Sequence, residues 1–197
     1  ELNEEEEKEL NYKLKPLLKK HDLVIVVDYG HGLLTNKTIK NLESSSSYFA
    51  VNTQLNSFNQ GYHSISKYNQ ADYICVHSGE LRYDYRDRLL PIEDLIKKLS
   101  VRMNTKVVNI TLGKEGAIAF SNGNYFKVPA FSRKVVDRVG AGDTVLGITA
   151  ACFAKGIPND LGLFIGNLAA AEKVAHTGTG FKLNKINIIK YIQSLLK

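Results

Sequence analysis

The sequence predicts an α/β layered fold with a mostly parallel central sheet and helices on both faces. Three observations carry this. Helical and strand-like patterns alternate along the chain. The run Leu23-Val24-Ile25-Val26-Val27 is apolar without interruption, as in a strand buried on both faces of a parallel sheet. The small residues Gly140-Ala141-Gly142 then separate the β-branched stretch around Val135-Val136 from a long apolar helix. Residues 1–197 read as a single domain, long enough for one well-buried core or for part of a larger domain.

Taken in order, residues 2 to 20 predict a helix with leucines at 10, 14, 17 and 18, which Pro16 should kink or restart. The strand at 23–27 ends in Asp28-Tyr29-Gly30-His31-Gly32, a loop at the sheet's C-terminal edge, where open α/β sheets bind ligands. Thr35 caps a short helix that ends near the serines at 44 to 47, and strands follow at 48–51 and 73–76. Between them Asn52 to Asn69 is polar, irregular and long enough to be a functional loop. Pro91 opens a helix carrying Ile92, Leu95, Ile96 and Leu99, and a strand follows at 107–111. Asn122-Gly123 between two apolar runs signals a hairpin. A further strand is expected around Val135. Residues 145 to 154 are apolar almost all round, which predicts a deeply buried helix. Gly156 and Pro158 separate it from a helix bearing Leu161, Phe164, Leu168, Ala171 and Val174. The turn at Thr177 to Gly180 and a terminal helix capped by Asn184 complete the chain.

Composition narrows the function. The net charge is +6, but basic residues are mixed with acids, as at Arg82-Tyr83-Asp84-Tyr85-Arg86-Asp87-Arg88. That pattern suits a solvated face and small anionic ligands better than a nucleic-acid surface. There is no membrane-length apolar run and no signal peptide at residue 1, so the expectation is a cytoplasmic protein without membrane contact. Cys75 and Cys152 read as reduced core residues, and the five histidines lack metal-ligand spacing.

The chemistry concentrates at Gly140 to Asp143. Such a turn can present backbone N–H groups at a helix start to an anion, with the Asp143 carboxylate one step beyond. An anion hole beside a base is what phosphoryl transfer to an alcohol needs. Alone, the turn reads equally well as close helix–sheet packing. Its context adds to it, because Asp137, Gly140, Ala141, Gly142 and Asp143 match D-x-x-G-A-G-D, the second signature of the ribokinase (PfkB) family of sugar kinases. Thr111-Leu112-Gly113-Lys114-Glu115-Gly116 resembles that family's T-x-G-x-x-G segment, and Asn167 falls where its helix borders the adenine pocket. Asp28-Tyr29-Gly30-His31-Gly32-Leu33-Leu34-Thr35 is similar to D-Y-x-K-G-x-L-T of one branch, that of the kinase domain of bifunctional heptose-phosphate kinase/adenylyltransferases.

The resemblance implies a ribokinase-like fold, ATP as phosphoryl donor and a sugar or sugar phosphate as acceptor. It implies Asp143 as base, with Gly140, Ala141 and Gly142 forming the anion hole. Thr111, Gly113, Gly116, Asn167 and Gly178 fall to the nucleotide and Asp28 to the sugar. Mg²⁺ goes to Glu80, through water, and Asp137 with the Thr177–Gly180 turn closes a monovalent-cation region, K⁺ for example. Where the branch has Lys, Asp-Pro-Lys and Asn, this chain has His31, Asn52-Thr53-Gln54 and His77. Loss of a lysine removes a permanent cation suited to phosphate. These changes keep open a second reading, a non-catalytic nucleotide- or phosphosugar-binding module fused to a nucleotidyltransferase domain; a structural or dimerisation domain is a third. The resemblance covers the family's C-terminal two-thirds and leaves out its early strands and its lid, through which members often form homodimers.

Overall fold

The computed structural model describes residues 2–45, 47–132, 135–178 and 182–195. Helix α1 (Glu4–Lys20) precedes strand β1 (Leu23–Asp28), helix α2 (Asn36–Glu43) and strand β2 (Tyr48–Thr53). Strand β3 (Tyr73–His77), helices α3 (Ser78–Tyr85) and α4 (Ile92–Arg102), and strand β4 (Val107–Thr111) follow. The hairpin β5 (Ala117–Ser121) and β6 (Asn124–Val128) leads to helices α5 (Ala141–Ala154), α6 (Asn159–Val174) and α7 (Lys185–Leu195). The six strands lie in chain order, β1-β2-β3-β4-β5-β6. β1 to β4 are parallel and β5 and β6 antiparallel, so the expected mostly parallel sheet is present.

Side chains alternate along each strand and feed two cores. Val51, Ile74, Val76, Val108 and Ile110 pack with α2 and α4 on one face. Ala50, Tyr73, Cys75 and Val107 pack with Val145, Leu146 and Phe153 of α5 and Leu163 of α6 on the other. A polar chain sets the height of α5 above the sheet. Asn109 Nδ2 donates to the Tyr73 hydroxyl (3.0 Å), which pairs with Thr149 Oγ1 of α5 at 2.6 Å. The Tyr73 ring also meets Phe153 edge-on, 5.0 Å between centroids, an arrangement worth about 0.5–1.5 kcal/mol beyond its buried area.

Several expectations change. β1 is not covered on both faces: it is an edge strand, and Ile25 and Val27, on the side of α5, are 37% and 36% exposed. α1 runs through Pro16 without a break, at the cost of the one hydrogen bond Pro16 cannot donate. No strand forms at residues 135–139. The N–H groups of Val136 and Asp137 both donate to the Val174 carbonyl, 2.7 and 3.2 Å, so this segment is tied to the end of α6 rather than to the sheet. α5 buries only the faces toward the sheet and α6, leaving Ala151 exposed, and Leu161 of α6 points outward at 46% exposure. Helix α3 escapes the sequence pattern. It is set by a capping box in which His77 accepts from Gly79 N–H and the Glu80 carboxylate accepts from His77 N–H. The hairpin at Asn122-Gly123 forms as expected, with φ of 50° and 80°. Both cysteines are free, Cys75 in the core and Cys152 half-buried. Among the described residues no helix is long and apolar enough to cross a membrane.

Candidate active site

The parallel register brings Asp28 beside Thr53 and His77 beside Thr111 at the C-terminal edge of the sheet. The N-terminus of α5 arrives over this edge. Gly140 is its N-cap in the left-handed region (φ 79°), a conformation that favours glycine, and gives no side-chain cap. The Ala141 N–H donates to the Arg138 carbonyl at 3.2 Å. Among the described residues, no protein acceptor takes the N–H of Gly142 or Asp143. A Cβ built on Gly142 would meet nothing within 4 Å. Two donors therefore face open space at the positive end of a helix dipole. The N–H of Ala141, a residue expected in the anion hole, is already engaged.

The Asp143 carboxylate has two partners from distant parts of the chain. Gln54 Nε2 donates to Oδ1 at 2.9 Å, and the Tyr29 hydroxyl approaches Oδ2 at 3.5 Å. Burial, and then the Asp143 charge, push the Tyr29 hydroxyl above its usual range, so the phenol stays a donor. Gln54 lies just beyond β2 and Tyr29 just beyond β1, so the sheet edge positions both.

Beside this carboxylate is a cleft of about 680 Å³, lined by Thr111, Gly113, Gly116 and Asn167 together with Ala141 and Gly142. The chain thus gathers most of the residues expected to touch a nucleotide. Lys114 and Arg138 line the same cleft and add positive charge. Gly113 (φ 62°) has open space where a Cβ would sit. Gly116 (φ 95°) is glycine for a different reason: its Cβ would lie 2.0 Å from the Val128 carbonyl oxygen. Its role in the fold is close packing against the exit of β6. Asn167 is 7% exposed and donates to the Leu163 carbonyl at 2.9 Å.

Glu80 and Asn52 lie on the floor of the cleft. Burial raises the Glu80 carboxyl above its usual range, against the pull of His77 and Leu55 N–H groups that donate to it, and Asp143 adds to the rise. Asn52 is 8% exposed and spends its amide on the Cys75 carbonyl (2.7 Å), and its buried Oδ1 has no partner among the described residues. An orphan acceptor in a cleft that also holds a carboxylate fits the water shell of a divalent cation. No group of three His, Cys, Asp or Glu among the described residues is arranged to cage a metal directly. Cys75 lines the cleft too, but burial pushes its thiol up to about 12 and leaves it inert.

Asp137 stands apart from Glu80's cluster. Its carboxylate accepts from Val139 N–H (2.9 Å) and Gly178 N–H (3.0 Å), which, with the Lys173 charge, hold it below its usual range. Lys173 is itself only 7% exposed and donates to the Gly178 carbonyl at 3.2 Å. Thr179 and Gly180 of the expected closing turn lie outside the described residues.

Asp28 is not open to a ligand. It is 4% exposed and accepts from the Tyr68 hydroxyl (2.7 Å), Lys67 Nζ (3.1 Å) and Gly30 N–H (2.9 Å). Burial opposes its charge, but these partners outweigh burial and keep the carboxyl below its usual range. His63 Nε2 adds a contact to the Asp28 carbonyl at 3.0 Å, and Asn59 Nδ2 donates to the Tyr29 and Gln54 carbonyls. The long polar loop is thereby tied to the end of β1, which in turn holds Gln54 and Tyr29 in place. Sequence spacing gave no sign of these ties. His31 is exposed, with its ring 6.3 Å from that of Tyr29.

The chain is similar to the bifunctional protein HldE of Aliarcobacter butzleri, 28% identical over 183 residues covering 91% of this chain and 37% of the relative. The HldE protein of Desulfatibacillum aliphaticivorans is 32% identical over 163 residues, 80% of this chain and 32% of the relative. Among solved structures, phosphofructokinase-2 from Escherichia coli in complex with potassium superposes with a TM-score of 0.80 at 16% identity, covering 99% of this chain and 63% of that one. Arabidopsis thaliana ribokinase complexed with ribose and ATP gives 0.76 at 17% identity, covering 92% and 59%. The chain thus spans about a third of the length of these curated relatives, and the structural likenesses establish a ribokinase-like fold. The description pfkB family carbohydrate kinase matches residues 3–186, nearly the whole chain, and this chain belongs to that family.

Proposed function

We propose that the site transfers a phosphoryl group from ATP to a hydroxyl of a sugar or sugar phosphate. The observation that supports this best is the pair of unengaged N–H groups of Gly142 and Asp143 at the start of α5, with the Asp143 carboxylate beside them and a nucleotide-sized cleft adjoining. The acceptor hydroxyl would give its proton to Asp143, while the two N–H groups stabilise charge on the migrating phosphoryl. Gly140 contributes the left-handed turn that aims them. Thr111 and Gly113 would meet the nucleotide phosphates and Asn167 the base side of the cleft, with Lys114 and Arg138 as further cations.

Glu80, with Asn52, would hold a hydrated Mg²⁺. When bound, that ion neutralises charge on the donor phosphates. Asp28 we read as holding the loop through Lys67 and Tyr68 rather than contacting the sugar. Gly116 contributes packing, and Gly178 together with Asp137 braces the turn behind Gly140.

The test is Asp143→Asn: turnover should fall by about 10²–10⁴-fold, with ATP affinity by calorimetry nearly unchanged. Retained turnover would remove Asp143 from the base role. One observation favours the second reading, a non-catalytic module fused to a nucleotidyltransferase: Gln54 and Tyr29 both direct donors at Asp143, so an acceptor hydroxyl would have to share the carboxylate with them. Under that reading ATP or a phosphosugar binds and no turnover is seen.

A further inference from the structure

Lys173 has no part in the proposed transfer, yet its placement is costly. A buried ammonium is unfavourable unless charge or strong acceptors offset it. At 7% exposure it sits on the last turn of α6 and donates to the Gly178 carbonyl at 3.2 Å. Its side chain reaches the back of the anion-binding turn: Cε is 3.4 Å from where a Cβ on Gly140 would lie. Its charge also acts on Asp137. The ammonium thus lies against Gly140, the N-cap of α5, and Gly178, whose N–H is held by the Asp137 carboxylate.

The resemblance assigns this region to a monovalent cation, and the similar phosphofructokinase-2 is described in complex with potassium. Among the described residues, the groups present do not suit a second cation. Asp137 Oδ1 and Oδ2 each accept a backbone N–H, from Val139 and Gly178, and the Gly178 carbonyl is taken by Lys173. Any ion entering beside them would have to share these oxygens with donors already in place and would be repelled by the Lys173 charge.

We propose that Lys173 is a tethered replacement for that ion: its ammonium supplies, from within the chain, the positive charge behind Gly140, and the site works without K⁺. This rests on the kinase reading only for what the charge is for; the effect of K⁺ on stability does not depend on it.

Thermal unfolding of the protein without nucleotide, in KCl, NaCl and choline chloride at equal ionic strength, tests the proposal. The wild-type midpoint should be the same in all three salts. Lys173→Met should unfold at a lower temperature and regain about 2 °C or more in KCl over choline chloride, as a vacated cation site binds the ion. Lys173→Gln, which keeps a donor toward the Gly178 carbonyl but no charge, should respond in the same direction and serves if the methionine variant does not fold. A K⁺-specific rise in the wild-type midpoint would overturn the proposal without any variant. Variants as indifferent to KCl as the wild type would overturn it too. If the protein turns over substrate, its rate should be independent of K⁺, and K⁺ should restore the rate of Lys173→Met several-fold.

Discussion

Gln54 Nε2 donates to Asp143 Oδ1 at 2.9 Å across 89 residues of sequence. A hydrogen bond to a charged group contributes about 1.5–3 kcal/mol, enough to fix which carboxylate oxygen faces an acceptor. Gln54→Ala should therefore lower kcat by about 10-fold or more and leave the KM for ATP almost unchanged. Gln54→Asn, one methylene short, should not rescue it, and a change in KM alone would assign Gln54 to binding instead.

Gly142 and Gly116 should respond oppositely to the same substitution. Gly142→Ala adds a methyl in open space, so stability should stay within about 1 kcal/mol while turnover drops as the methyl intrudes on the phosphoryl site. Gly116→Ala drives a Cβ to 2.0 Å from the Val128 carbonyl oxygen at positive φ and should cost about 2 kcal/mol or more. Denaturant unfolding beside an activity assay reads both, and equal stability losses would contradict the distinction.

The raised Glu80 carboxyl gives a pH signature. If the charged form is needed to hold hydrated Mg²⁺, kcat/KM should climb with pH along a limb centred above the ordinary 4.5, and Glu80→Gln should lose that limb. The sign for stability is opposite. With the folded value raised, Glu80's own contribution is largest at low pH and is lost as pH rises through that value. An activity limb centred at or below 4.5 would detach Glu80 from it.

Asp28 behaves the other way. Its folded value is held below the ordinary 3.8, so its stabilisation is present above that pH and disappears as pH falls through the folded value. Asp28→Asn at neutral pH should cost about 2–4 kcal/mol, since it leaves the Lys67 ammonium and the Tyr68 hydroxyl poorly matched. Tyr68→Phe should cost about half as much. A loss under about 1 kcal/mol for Asp28→Asn would mean the loop is held by other ties.

What the sequence disclosed and what it hid divide along a physical line. The Gly140 to Asp143 turn could be placed at a helix start because backbone geometry leaves local signals there, whereas Thr111, Gly113 and Asn167 were expected at the site only through the family resemblance. Gln54, Tyr29 and Asn52 could not be read, because their partners lie on other strands or helices and depend on register. Lys173 sits where a lysine ordinarily complements a helix C-terminus, so nothing in its position marked it as buried. The edge exposure of Ile25 and Val27 was hidden for a similar reason, since an apolar run does not say how far the covering helices reach.

The sheet's chain-order layout also bears on how the site comes into being. Each strand pairs with the one made just before it, so the sheet can assemble from neighbouring pieces with little loop to close. Asp143, however, arrives on a helix that follows the last strand. A folding chain can therefore complete all six strands, with Gln54 and Tyr29 in position, and still lack the carboxylate they are meant to grip. Docking of α5 is then the event that brings the Asp143 carboxylate to Gln54 and Tyr29, and hydrogen exchange at Gly142 and Asp143 would report its timing.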